Sequence, residues 1–294
     1  MNKINELRLL VDTQKEKPLL IAVTEVKPKH WRYQPSTSEL QLKGYSIFTV
    51  NLDQKEGRGV LVYVHNSVSA QEIKLNSVFS EVLTIEIKLL NNDKLLFSCI
   101  YRSPSSTEEN NVSLLSLMSS ISKHPHTHKV VVGDFNFSNI VWEAGEIGCR
   151  LNQNTSKEAM DFLNCIEDCY LYQHVDKPTR GRKSQTPSTL DLVFSNEEHM
   201  ISDVEVLSPL GKSDHSLIQF RINSFLPRNE SVHTAMRYIY NKGDYGKMKD
   251  LLDINWNEEL NTDNIDEMWN TFKEKIKAAE EECIPKRKIN PNKD

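Results

Sequence analysis

The chain runs to 294 residues, 38% of them hydrophobic, which is enough for one large core or for one domain with an appendage. Its 36 Lys+Arg against 41 Asp+Glu give a formal net charge of -5, which excludes the global basic character behind nonspecific nucleic-acid binding, so any phosphate contact has to be local. No run approaches the ~18 apolar residues of a membrane span, the amino terminus MNKINELRLLVDTQ carries no secretory signal, and five cysteines without a paired C-x-x-C frame suggest neither a zinc site nor a disulfide scaffold. These features predict an intracellular chain with no membrane partner.

Taken in order, the chain opens on a helix. Ile4, Leu7, Leu10 and Val11 fall at helical spacing between Asn2 and Thr13, and PLLIAVTE then reads as a buried strand ending in Glu25. GVLVYVH, the alternating EVLTIEIKL and KLLFSCIY are the next strand candidates. A helical period comes next, from Val112 to Ile121. The run KVVVGDFN is β-branched without polar alternation, the pattern of a strand covered on both faces. It nevertheless stops at Gly133, Asp134 and Asn136. Glycine permits close backbone approach there, and the two acceptors, two residues apart, project from the same side of an extended chain. The same three residues also form turns. A second helical period spans Lys157 to Tyr170. The cluster Lys177, Arg180, Arg182 and Lys183 is the best local candidate for phosphate contact, although such a run also suits a solvated loop. TLDLVFS, SDVEVLS and SLIQFRI complete the strands. The elements together predict an α/β (α+β) domain built on two packed sheets.

After about Asn223 the character changes. SFLPRNESVHT reads as a polar linker, and the residues beyond it show no strand pattern. Ile265, Met268, Trp269, Phe272 and Ile276 form an apolar stripe, Asn264 with Glu267 fits a capping box, and the chain ends in the basic tail Lys286-Arg287-Lys288. The expected division is a domain over 1–223 and a linker with a helical connector over 224–294.

Several strands share one feature: each ends in, or lies beside, a polar group suited to phosphate or metal chemistry. Glu25 ends LLIAVTE, Tyr101 ends KLLFSCIY, Asp134 and Asn136 end KVVVGDFN, Asp191 opens its strand, and Gly211-Lys-Ser-Asp-His215 precedes the last one. Phosphodiester hydrolysis requires an activated water and neutralisation of charge on phosphorus and on the leaving oxygen. A hard divalent cation on one or two carboxylates supplies the second; Glu25 and Asp214 are the candidates to hold it. A carboxylate beside a histidine fixes the tautomer and favours the imidazolium, which suits Asp191 with His215. Asn136 and Tyr101 are candidate donors to phosphate oxygens, and Asp134 a candidate to handle water or the leaving group.

The order LLIAVTE, CIYRSP, VVVGDFN, TLDLVFSN, KSDHSLIQF resembles the endonuclease/exonuclease/phosphatase superfamily, deoxyribonuclease I-like proteins with a four-layer sandwich of two packed sheets flanked by helices. The variants YRSP, GDFN, LDLVF and SDH look most like the endonuclease domain of non-LTR retrotransposons, over about residues 1 to 223. The resemblance implies catalytic roles for His215, Asp134, Asp191 and Tyr101, substrate contacts for Asn136, Ser213 and, through KPTRG, Thr179, and metal binding for Glu25 and Asp214. It implies Mg2+ as cofactor with Mn2+ as the alternative, DNA as substrate, a nuclear location, and a reverse transcriptase domain downstream in a complete element. Such proteins begin with a strand bearing an asparagine, just ahead of the helix matched here by INELRLLV, so a missing first strand and impaired activity are expected. The alternatives are a phosphatase or small-molecule phosphodiesterase on the same site, and an inactive remnant that binds nucleic acid.

Overall fold

The structure, a computed structural model, describes residues 3–27, 36–52, 57–142, 149–151, 156–181, 186–224, 226, 236–262 and 264–288. Arg182, Lys183 and nearly all of the expected linker SFLPRNESVHT lie outside them. The chain divides into two compact units, residues 1–228 and 229–294.

In the first unit the elements are α1 (Ile4–Thr13), β1 (Leu20–Val23), β2 (Tyr45–Val50), β3 (Val60–His65), β4 (Ala70–Glu72), β5 (Val82–Lys88), β6 (Lys94–Tyr101), α2 (Glu108–Ser122), β7 (His128–Asp134), β8 (Ile140–Trp142), β9 (Cys149–Leu151), α3 (Lys157–Asp168), β10 (Tyr172–Gln173), β11 (Asp191–Ser195), β12 (Ile201–Leu207) and β13 (Leu217–Ile222). One sheet has the order β10-β11-β7-β6-β5-β4, a second β1-β3-β2, and β12 pairs with β13. Among the described residues β1 pairs only with β3 and β13 only with β12.

The period of two along each strand sorts side chains into layers. On β3, Val60, Val62 and Val64 enter a core with Leu83, Ile85 and Ile87 of β5 and with Leu95, Phe97, Cys99 and Tyr101 of β6. Leu61 and Tyr63, between them, turn to the other face and pack on Leu7 and Val11 of α1. Similarly Leu96 and Ile100 of β6 and Val131 of β7 face Leu114, Leu117 and Met118 of α2 and Phe162 of α3. The result is a four-layer sandwich of two packed sheets flanked by helices. Side chains of β12 and β13, among them Val206, Ile218 and Phe220, pack on the core between the sheets.

The second unit contains β14 (Met236–Tyr238), α4 (Tyr245–Leu252), α5 (Trp256–Glu259), α6 (Ile265–Cys283) and β15 (Lys286–Lys288). The expectation of a strandless tail is corrected here: β14 and β15 pair antiparallel. Three residues each, without apolar alternation, leave no sequence signal; the backbone ladder is continued by Ile239 N–H to the Pro285 carbonyl, and the Lys286 ammonium lies 4.7 Å from the Tyr238 ring centroid across it. Thr262 also takes part at the start of α6. Glu267 accepts from the Thr262 hydroxyl at 3.0 Å, and the Asn264 N–H donates to that same hydroxyl oxygen. The stripe packs through Trp256, Trp269 and Phe272, with the Phe272 ring 5.4 and 5.8 Å from the two tryptophans.

Candidate active site

The site lies where three strands end in register. Tyr101 pairs with Asp134 across the parallel β6–β7 ladder, and Asp134 pairs with Asp191 across the antiparallel β7–β11 ladder. All three share the parity of their strands' inward residues, Cys99, Val132 and Val193, so they face the space between the sheets. Gly133 makes this register possible: at φ 150° a Cβ would stand 1.8 Å from the Ile100 carbonyl oxygen on β6. The apolar strand can thus end in polar groups, because its last inward position opens on a polar cluster rather than on more core.

At one side Asp191 is the hub. Its Oδ2 accepts from the Thr179 hydroxyl at 2.7 Å and pairs with His215 Nδ1 at 2.8 Å. Thr179, fully buried, in turn accepts from the Leu190 and Asp191 N–H groups. An isolated bridge between Arg180 and His215 sews the KPTRG and SDH segments together, and the Ser216 N–H donates to the Thr179 carbonyl at 2.7 Å. Ser213 Oγ accepts from the His215 N–H at 3.2 Å, which places it as a turn-former supporting the histidine. Burial pulls the His215 imidazole down, but the Asp191 hydrogen bond and the charges of Asp191, Asp134 and Asp214 outweigh it and raise it to about 9. The ring is therefore an imidazolium at neutral pH. Asp214 points its Oδ2 to the Arg180 guanidinium at 3.1 Å, and although burial pushes the carboxyl up, this pairing and the neighbouring His215 hold it below the usual carboxylate range.

Asp134 is nearly fully buried. Burial first, and then the negative charges of Asp191 and Glu25, push its carboxyl well above the usual range, against the pull of His215. Its Oδ1 accepts from the Asn136 N–H at 3.2 Å. Asn136 takes a left-handed backbone (φ 52°) and donates its side-chain amide to the Arg102 carbonyl at 2.8 Å.

At the other side Tyr101 donates to Glu25 Oε1 at 2.6 Å, and Arg58 approaches the same oxygen at 3.3 Å. Burial, reinforced by the Glu25 hydrogen bond, drives the Tyr101 hydroxyl far above its ordinary range, so it stays a donor. Glu25 itself has φ 51°, an uncommon state for a residue with a long side chain. The next two residues hold it there: the Val26 and Lys27 N–H groups donate to the Gly59 and Arg58 carbonyls.

The nine residues singled out in the sequence therefore fall into one continuous set of contacts and register partners, from Glu25 through Tyr101, Asp134 and Asp191 to His215 and Asp214. Two differences of role stand out. Tyr101 and Asn136, expected as donors to phosphate, direct their groups to Glu25 and to the Arg102 carbonyl. Glu25 and Asp214, expected as metal ligands, each have an arginine partner, whereas the residues whose ligand atoms all lie within 4.8 Å of one another are Asp134, Asp191 and His215. Two supporting residues are not among the sequence candidates. Buried Arg102 bonds Asn111 on α2 and the Phe135 and Asn136 carbonyls, fixing the GDFN turn. Arg58 lies between Gly57 and Gly59, just ahead of β3.

An oxygen-rich set of four carboxylates, whose innermost member is pushed up by burial first and then by its negative neighbours, fits a hard divalent cation, since such an ion relieves the repulsion and satisfies carboxylate oxygens. Even so, Asp191 Oδ2 is already committed to Thr179 and His215.

Known proteins are similar in part of the sequence and in fold. A family described as "Endonuclease-reverse transcriptase" matches residues 95–219, from β6 into β13. Among solved structures, the endonuclease domain of TRAS1, a telomere-specific non-LTR retrotransposon, superposes with a TM-score of 0.55 at 15% identity, covering 75% of this chain and 91% of that one. AP endonuclease LMAP from Leishmania major gives 0.57 at 15% identity, covering 74% and 82%. A mannosyl-6-phosphatase from Bacteroides thetaiotaomicron is also similar, with a TM-score of 0.48, 12% identity and coverage of 75% and 90%. At such identities the likeness is one of fold. No curated protein matches the chain. With its ordered motifs, the family match over residues 95–219 and its sandwich architecture, the chain resembles the endonuclease/exonuclease/phosphatase superfamily and shares the fold of these structures.

Proposed function

We propose that the chain is a divalent-cation-dependent DNA endonuclease that nicks phosphodiester bonds and derives from a non-LTR retrotransposon. The observation that carries the reading is the Thr179–Asp191–His215 arrangement beside the buried Asp134. It holds a positively charged imidazole, fixed in orientation, next to a carboxyl that can take or give a proton. The matched family and the fold shared with TRAS1 and LMAP support the nuclease choice.

In this reading Glu25 and Asp214 hold the cation, Mg2+ first and Mn2+ as the alternative. The ion when bound supplies charge neutralisation on the phosphate and the leaving oxygen. His215, kept charged by Asp191, binds and polarises a non-bridging phosphate oxygen. Asp134 moves the proton between water and leaving group, and Asn136 with Arg102 keeps the turn that presents it in place. Arg58 and Arg180, already beside Glu25 and Asp214, are the guanidinium groups at hand for neighbouring phosphates. A DNA substrate places the protein in the nucleus, and a complete element would carry a reverse transcriptase domain downstream.

The test is nicking of supercoiled plasmid with and without Mg2+ by the chain and by His215→Ala. Mg2+-dependent nicking that falls by about a hundredfold or more in the variant is expected. Release of phosphate from a monoester with no nicking would replace the reading with a phosphatase.

A further inference from the structure

Away from the site, α2 and α3 border a surface cavity of about 430 Å3 lined by Ser119, Ser122, Asp161, Asn164, Cys165 and Cys169. The two cysteines stand one helical turn apart, with their sulfurs 4.0 Å from each other. Nothing in the hydrolytic chemistry uses them. Cys99, by contrast, is sealed in the core between the sheets, and burial raises its thiol to about 12.

We propose that Cys165 and Cys169 form an oxidisable dithiol, closed to a disulfide by a hydroperoxide entering this cavity. The Cys169 sulfur is the attacking one. Its thiol is drawn down by the hydrogen bond from Cys165 and, against burial, by Ser122, while Cys165 is driven up by the same bond and by burial. Attack on the terminal peroxide oxygen forms an S–O bond and breaks the O–O bond. The departing alkoxide or hydroxide takes the Cys169 proton, leaving a sulfenic acid. The Cys165 sulfur then attacks the sulfenic sulfur: the S–S bond forms, the S–O bond breaks, and hydroxide leaves with the Cys165 proton as water. The two sulfurs together lose two electrons and the peroxide gains them.

The backbone allows the closure at one place only, the end of the helix. Helical geometry sets Cα atoms four residues apart at about 6 Å, inside the ~4.4–6.8 Å span of disulfides, but the sulfurs must still approach to about 2 Å. Cys169 caps α3 and precedes the left-handed Tyr170 (φ 52°). Closure therefore opens one backbone hydrogen bond, the Cys169 N–H to the Cys165 carbonyl at 3.0 Å, gives up the weak Cys165 thiol bond to the Leu115 carbonyl at 3.6 Å, and leaves the rest of the helix on its core. A bridge that strains a helix end is readily reduced, the property of a reversible rather than a structural disulfide.

The experiment treats the native full chain with one equivalent of hydrogen peroxide, unfolds it in N-ethylmaleimide and maps tryptic peptides. Glu158–Arg180 contains both cysteines and no other. The expected result is this peptide lighter by two hydrogens and unalkylated, restored by dithiothreitol, with Cys99 still alkylated. In Cys165→Ser the peptide should instead yield a dimedone adduct at Cys169. The proposal is overturned if both thiols of the oxidised native chain still take N-ethylmaleimide, if a stable sulfenic or sulfinic acid accumulates in the wild type, or if Cys99 is oxidised as fast.

Discussion

Thr179 shows how much of the site rests on a side chain that need not touch substrate. Its hydroxyl donates once, to Asp191, and accepts twice, from the Leu190 and Asp191 N–H groups, in a fully buried position. Thr179→Val keeps the shape and removes every one of these bonds. It leaves buried donors unpaired, at about 1–3 kcal/mol, and lets the Asp191 carboxylate turn away from His215. The expected outcome is a lower urea midpoint together with a fall in kcat and little change in KM, since Thr179 acts through Asp191 on the histidine. An unchanged kcat in a folded variant would show that Asp191 orients His215 unaided. Gly133 is the opposite case, a residue needed for what it lacks. With Ile100 O only 1.8 Å from its hypothetical Cβ, Gly133→Ala has to push β6 and β7 apart where Tyr101 and Asp134 meet. A loss of at least ~1–3 kcal/mol in denaturant unfolding, with Mg2+-dependent nicking lost even under folding conditions, is the expected result.

Among the elements, β6, β7 and β11 carry the site at one end and a second polar cluster at the other. His128, at the start of β7, is clasped between Asp93 at 2.7 Å and Glu197. Burial lowers its affinity for a proton, but the hydrogen bonds to Glu197 and Asp93 outweigh burial and raise it above the ordinary histidine value. A group bound more tightly to its proton in the folded state stabilises the fold fully below its unfolded value, near ~6.5, and this contribution fades as pH rises through the raised value. The stability difference between the chain and His128→Gln is therefore expected to be largest in mildly acidic solution and to shrink on the alkaline side of neutrality, as read from urea midpoints across pH. A difference independent of pH would mean that the pair acts through neutral hydrogen bonds alone.

These same strands explain which parts of the fold are legible in the sequence. The apolar inward positions of β3, β5, β6 and β7 announce burial by composition, and their ends announce the site, because a polar residue closing such a run has to be satisfied by something beyond the core. Strand β2, YSIFTV, buried only at Tyr45, and the three-residue β4 and β8 offer too little apolar pattern to stand out. Arg102 lies within CIYRSP with no local sign of its role, since its partners at Phe135 and Asn136 are more than thirty residues away. No local period encodes a contact of that kind. Arg58 is hidden for the same reason: its link to Glu25 spans the whole β1–β3 connection.

At the scale of the whole molecule, the division at residue 228 separates cores that differ in kind. The first unit buries three clusters: one between the two sheets, one beneath α2 and α3, and one beneath α1. The second holds a helix pair, a short ribbon and a small buried set, Ala279, Cys283 and Ile284, with Ile265 and Trp269 well exposed. Stability scales with buried apolar area, at about 25 cal/mol per square ångström, so the sandwich is expected to fold on its own core and the small unit to add little to it. A chain ending at Arg228 should keep the cooperative transition of the first unit, with a urea midpoint close to that of the full chain and a smaller m-value, because less surface is exposed on unfolding. On the proposed function, the same truncated chain should nick as the full chain does, since every site residue from Glu25 to His215 precedes the division. Loss of the cooperative transition would place part of the sandwich's stability in the second unit. Retained folding with lost nicking would instead assign that unit a part in holding DNA.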